Sequence, residues 1–172
     1  MSVINRINVL RGDITKLTTV DAIVNAANES LLGGGGVDGQ IHKTAGLGLL
    51  EECRKLNGCR TGEAKLTKGY NLPPKHVIHT VGPRYSSSRR EELLRNAYRS
   101  SLECAHENGI QSIAFPSIST GIYGYPIEEA SEVALKTVRD FLEIHKETSV
   151  TFVLFSEPDL YIYQDQFKRI FG

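Results

Sequence analysis

The sequence predicts an α/β fold, a three-layer α/β/α sandwich with a central mixed, largely parallel sheet. Two observations lead there. Short runs rich in Val, Ile and Phe alternate along the chain with longer runs of helical period, the signature of βαβ units. Two of the short runs, "AIV" and "FVLF", are apolar without alternation, as strands covered on both faces are.

The elements follow in order. "INVLRG" (7–12) and "VDAIVNAA" (20–27) read as strands, and residues 37–56 as one helix whose Ile41, Ala45, Leu49 and Cys53 recur at helical spacing. "AKLTKGY" (64–70) and "HVIHTVG" (76–82) are strand-like. Residues 91–108 follow as a helix with Gly109 just past its end, and "SIAFPSI" (112–118) as a strand stopped by a proline. Pro126 suits the first turn of a helix running to about His145, "SVTFVLF" (149–155) is a buried strand, and residues 159–171 close the chain as a helix. "SSSRR" at 86–90 reads as a surface loop; no linker or repeat divides the chain, so one domain is expected over residues 1–172.

Composition narrows the function. With 172 residues, 40% of them hydrophobic and 23% charged, the chain has the make-up of an ordinary globular domain. Its 20 basic and 20 acidic residues balance, so no electropositive field calls for a nucleic-acid partner. Arg6, Arg11 and Asp13 interrupt the N-terminal stretch where a signal peptide needs an apolar core, and no apolar run approaches membrane-spanning length. A cytoplasmic protein with no membrane partner is expected. Cys53, Cys59 and Cys104 are odd in number and form no Cys-x-x-Cys, which argues for reduced thiols rather than a disulfide framework or a structural zinc site.

The chemistry concentrates in "NAANESLLGGGGVDGQIH" (25–42), where four consecutive glycines join a strand to a helix. Gly34, Gly36 and Gly39 match the letters G-x-G-x-x-G. They lie several residues past the strand, however, and no acidic residue ends a strand about 20 residues on, so a Rossmann site is rejected. The Walker pattern and the Gly-x-Ser-x-Gly elbow are absent too. A turn needs one or two glycines. A run of them lets backbone N–H groups approach a ligand and form a concavity at the positive end of the following helix, an anion cradle. "SISTGIYGYP" (117–126) repeats the arrangement after another strand, with Tyr123 at its tip and a second helix N-terminus beyond. Two such cradles suit a diphosphate.

Five stretches, "GDIT", "AIVNAANESLLGGGGVDGQIHKTAG", "TGEAKLTKGYNLP", "HVIHTVGP" and "FPSISTGIYGYP", together resemble a macrodomain of the MacroD-type branch of ADP-ribose-binding hydrolases, over almost the whole chain and in the family's order. The resemblance implies ADP-ribose as ligand, its diphosphate between the two glycine loops. It implies that Asp13 bonds the adenine amino group with the Ile14 N–H nearby, and that Asn28 holds the distal ribose hydroxyls with Asp38 beside them. Gly35, Gly36 and Val37, with Ser119, Thr120, Gly121, Ile122 and Tyr123 opposite, would supply phosphate donors, Tyr123 covering the distal ribose. Phe155 matches an aromatic set against adenine; a phenylalanine ending a buried strand also fits plain core. Asn25 is expected to support the loop from inside.

The activity implied is removal of mono-ADP-ribose from protein carboxylates and of acetate from O-acetyl-ADP-ribose. Both reactions split an ester at the distal ribose, with Asn28 and Asp38 as catalytic residues and no cofactor or metal. Asp38 begins a helix, whose positive end favours its ionised form; this predicts water positioning rather than strong base catalysis. A capping role for Asp38 is the alternative. His42, His76 and His79 read as structural. Gln40 stands where relatives carry a small residue and bears on substrate range. A non-catalytic ADP-ribose reader and an ADP-ribose 1''-phosphate phosphatase remain alternatives. The expected partners are ADP-ribose, its esters and mono-ADP-ribosylated proteins, with nucleic acid only as an ADP-ribosylated end, and the expected state is a monomer.

Overall fold

A computed structural model describes residues 2–172; Met1, the first residue of the expected domain, lies outside it. Six strands and five α-helices alternate among the described residues. They are β1 (Ile7–Arg11), β2 (Ala22–Ala26), α1 (Gly36–Ala45), α2 (Leu47–Lys55), β3 (Ala64–Lys68), β4 (His76–Thr80), α3 (Arg90–Glu107), β5 (Ser112–Phe115), α4 (Ile127–Ile144), β6 (Ser149–Leu154) and α5 (Glu157–Phe171). The sheet order is β1-β6-β5-β2-β4-β3. Every neighbouring pair is parallel except β3 with β4, so the sheet is mixed and largely parallel, as expected.

Alternation along each strand assigns its two faces. Ala22 and Val24 of β2 face the larger core with Phe115 and Phe152, where Leu94, Tyr98, Leu135 and Tyr163 of α3, α4 and α5 close over them. Ile23 points the other way with Val77, Ala114 and Val153, under Ile41, Leu49 and Cys53 of α1 and α2. Helices therefore cover both faces, completing the three layers.

Several boundaries differ from expectation for local reasons. The helix expected over residues 37–56 is two helices, broken at Gly46, whose φ is +89°. The chain turns there so that the Asn71 N–H can donate to the Ala45 carbonyl at 3.3 Å. Periodicity hid this break because Ile41, Ala45, Leu49 and Cys53 still all point into the core. Tyr70, at φ +52°, belongs to a turn rather than to β3. Pro126 caps α4 from outside its first turn, and α5 starts two residues early because the Ser156 hydroxyl caps it by accepting from the Asp159 N–H at 3.3 Å.

Because β1, β2, β4, β5 and β6 run the same way, the loops that follow them share one edge of the sheet. From β2 the chain crosses to the edge strand β3 and comes back inward through β4 on one side, then passes through α3 to β5 on the other. The reversal falls between β2 and β5, where open α/β sheets hold their ligands.

Candidate active site

The loops after β2 and β5 wall a cleft of two lobes. One, of about 460 Å³, is lined by Asn28, Gly34, Gly35, Asp38, Gly82, Arg84, Ser119, Ile122 and Tyr123. The other, of about 510 Å³, is lined by Asp13, Ile14, Gln40, Thr120, Val153, Phe155 and Asp159. Gly36, Val37, Ser117 and Gly121 line both, so the lobes join where the two glycine loops face each other. All the expected site residues thus lie on one cleft. Arg84, Gly82, Ser117 and Asp159 were not anticipated. For Arg84 and Gly82 a signal existed, since "VGPR" follows β4 on the same edge of the sheet as the glycine loops.

The glycine run has distinct uses. Gly36 opens α1 at φ +58°, a left-handed conformation that costs other residues about 1 kcal/mol. A Cβ on Gly35 or Gly36 would meet nothing within 4 Å, so their backbone is bared to the cleft at the first turn of α1, where N–H groups have no partner in the helix. At Gly34 a Cβ would lie 3.1 Å from Asp38 Oδ2 and 3.3 Å from Asn28 Nδ2. The loop therefore lets these two side chains converge. One turn into α1, a Cβ on Gly39 would be 2.5 Å from the Gly34 carbonyl oxygen, so the helix needs glycine there for the loop to fold back on it.

The opposite wall is held from beneath. The Tyr98 hydroxyl, buried on α3, accepts from the Ile118 N–H at 3.2 Å and lies 3.4 Å from the Pro116 carbonyl. The Tyr125 N–H closes the loop on the Ser119 carbonyl at 3.0 Å. Ser119 itself has φ +69°, and its buried hydroxyl has no partner. Strain and an orphaned donor together at a cleft wall are the marks of a ligand-facing residue. A second helix end does not contribute: residues 126–129 are absent from the cleft lining, and Glu129 instead accepts from the Tyr85 hydroxyl.

Asp38 sits in the first turn of α1 and is only 4% exposed. It does not cap the helix, whose N-cap is Gly35. Its Oδ1 accepts from Asn25 Nδ2 at 2.8 Å and lies 3.4 Å from His42 Nε2. Burial pushes its carboxyl above the usual carboxylate range, against the lowering effects of the Asn25 bond and of His42. Burial thus opposes the ionised form that the helix end favours, and a carboxylate raised in this way is the better proton acceptor.

Asn25 is wholly buried, and its support for the loop has a definite path. Register pairs it with His79 across β2 and β4, where its Nδ2 also faces His79 Nδ1 at 3.2 Å. His79 Nε2 is 2.9 Å from the Thr67 hydroxyl, which donates to the Lys68 carbonyl at 3.1 Å. Burial lowers His79 to about 3, so the ring is neutral, and Nδ1 accepts while Nε2 donates. The chain of donors then leaves one Asn25 N–H for Asp38. His79 is structural as expected, though it acts on Asp38 through Asn25.

The remaining candidates have equally defined surroundings. Asn28 donates from Nδ2 to the Gly33 carbonyl at 3.0 Å and accepts from the Ser30 hydroxyl at 2.7 Å, which fixes its side chain at the cleft. Asp13 caps the 3-10 turn Ile14–Lys16, Oδ1 accepting from the Thr15 N–H at 2.9 Å and the Thr15 hydroxyl at 2.6 Å. Phe155 is 83% exposed on the lobe wall and is not core. Burial raises the thiols of Cys53 and Cys59 to about 11. Among the described residues no three His, Cys, Asp or Glu side chains group as metal ligands, and no helix is long and apolar enough to cross a membrane.

Comparison with known proteins follows the same lines. The family model of the Macro domain matches residues 24–134. A Macro domain-containing protein of Chlorobaculum tepidum is 58% identical over 161 residues, covering 92% of this chain and 93% of that protein. Human ADP-ribose glycohydrolase MACROD2 is 53% identical over 177 residues; the match covers 99% of this chain but 41% of that longer protein. Among solved structures, an Oceanobacillus iheyensis macrodomain mutant with ADPR superposes with a TM-score of 0.92 at 48% identity, covering 95% of this chain and 92% of that one.

Proposed function

This chain belongs to the Macro domain family, and we propose on that premise that it binds ADP-ribose and hydrolyses esters at the distal ribose, without metal, as a monomer. The observation that carries the reading is the convergence of Asn28 and Asp38 over Gly34 at one end of the cleft, with bared helix N–H groups at its middle. The diphosphate lies against Gly35, Gly36 and Val37 and the facing Ser119–Tyr123 segment. Adenine lies by Asp13, Ile14 and Phe155, and the distal ribose by Asn28 and Tyr123. Relatives named ADP-ribose glycohydrolases and a neighbour solved with ADPR support the ligand and the hydrolase class.

In this reading Asn28 fixes the ribose and Asp38 orients a water. As the water oxygen attacks the ester carbonyl carbon, Asp38 takes its proton. The tetrahedral intermediate then releases the ribose oxygen, which takes the proton that Asp38 accepted, leaving a free carboxylic acid, ADP-ribose and an ionised Asp38. Glutamate- or aspartate-linked protein and O-acetyl-ADP-ribose present the same ester. The test is incubation with protein carrying glutamate-linked mono-ADP-ribose: free ADP-ribose should appear at the same rate with and without chelator. Tight binding with no release over hours would leave a reader module instead.

A further inference from the structure

Among the described residues, one cation on the cleft has no partner carboxylate. Arg84 is the only Lys or Arg lining either lobe among the described residues, and it lines only the lobe of Asn28 and Asp38. Its neighbours in sequence are engaged: Arg89 pairs with Glu92 at 2.6 Å, while Arg90 donates to the Tyr85 carbonyl and lies 4.2 Å from the centre of the Tyr85 ring. Among the described residues Arg84 makes no ion pair; its guanidinium lies over the Tyr123 ring, 4.8 Å from its centre. The Tyr85 N–H ties this segment to the Tyr123 carbonyl at 2.9 Å. Stacking and this tether hold an exposed guanidinium at the lip while leaving its N–H donors free.

Position sets Arg84 at the ester end of the cleft. It lines the lobe of Asn28 and Asp38 and is absent from the lobe of Asp13 and Phe155. Its side chain is exposed, so it faces solvent on the side of the group that the reading above places on the distal ribose. We propose that Arg84 is a specificity-determining residue that pairs with a carboxylate flanking the modified residue of a substrate polypeptide, so that acidic segments are preferred. This rests on the hydrolase reading above. The guanidinium recognises the planar carboxylate through paired N–H donors, and its stack on Tyr123 limits the conformational freedom lost on binding.

The experiment uses two peptides, each with one glutamate-linked ADP-ribose, flanked in one by glutamates and in the other by lysines. Exposed pairs contribute up to about 1 kcal/mol, or about five-fold. The wild type should therefore favour the acidic peptide about five-fold in kcat/KM, less at high salt. Arg84→Gln should bring the ratio near one, and Arg84→Glu should invert it. The same ratio in wild type and Arg84→Glu, including an equal loss on both peptides, overturns the assignment of Arg84 alone. Wild type that releases neither peptide overturns the hydrolase reading and this inference with it.

Discussion

Asp38 is buried at the expense of stability, and the sign of that effect can be tested. Its carboxyl is raised in the folded state, so the folded protein holds the proton more tightly than the unfolded chain. The stability this confers is complete below the unfolded value, near 3.8, and is lost as pH rises through the folded value. At neutral pH the ionised side chain is therefore a net cost. Asp38→Asn keeps an oxygen to accept from Asn25 while removing the charge. It should be more stable than wild type at pH 7 by about 1 kcal/mol, or roughly 2–4 °C in Tm for a chain of this size. The gain should shrink as pH falls toward 4, and hydrolysis should be lost. Thermal melts at the two pH values check this; a variant less stable at pH 7 would contradict it. Such a trade is characteristic of a residue kept for chemistry. The glycines around it were legible in sequence because their conformational demand is local. Asn25, His79 and Thr67 were less so: they come from three strands, and only register brings them together.

At the scale of elements, α1 and the loop before it act as one unit. The loop folds back on the helix because Gly39 has no side chain, and this contact presents Gly35 and Gly36 to the cleft. Gly39→Ala separates two effects. Alanine favours the helix over glycine by about 1 kcal/mol, which offsets only part of the clash with the Gly34 carbonyl, so the ligand-free protein should stay folded but melt below wild type. The displaced loop should nonetheless weaken ADP-ribose binding by about 10-fold or more in titration calorimetry, because the N–H groups lose their common aim. Unchanged affinity would mean that the loop geometry is not needed for the phosphates. Element boundaries were the least legible part of the fold. The break at Gly46 was invisible because the apolar stripe continues across it, and the early start of α5 rests on one serine cap.

At the scale of the molecule, βαβ alternation sufficed to predict the layers and the parallel sheet, because the unbroken apolar runs of β2 and β6 report burial on both faces. It did not specify strand order, and so did not show that the loop after β4 reaches the cleft with Arg84. The reversal between β2 and β5 is what sets two loops distant in sequence against each other, joining a lobe that holds Asp13 and Phe155 to one that holds Asn28 and Asp38. The central claim is that the second lobe performs ester hydrolysis at the distal ribose through those two side chains. Single-turnover release from a glutamate-linked substrate tests it most directly. Asn28→Ala and Asp38→Ala, each folded, should slow release by about 100-fold or more, and the double variant should be little slower than the poorer single one, since residues acting as a unit are not additive. Release that persists at the wild-type rate in Asp38→Ala would contradict the account and leave Asp38 without a role in the chemistry.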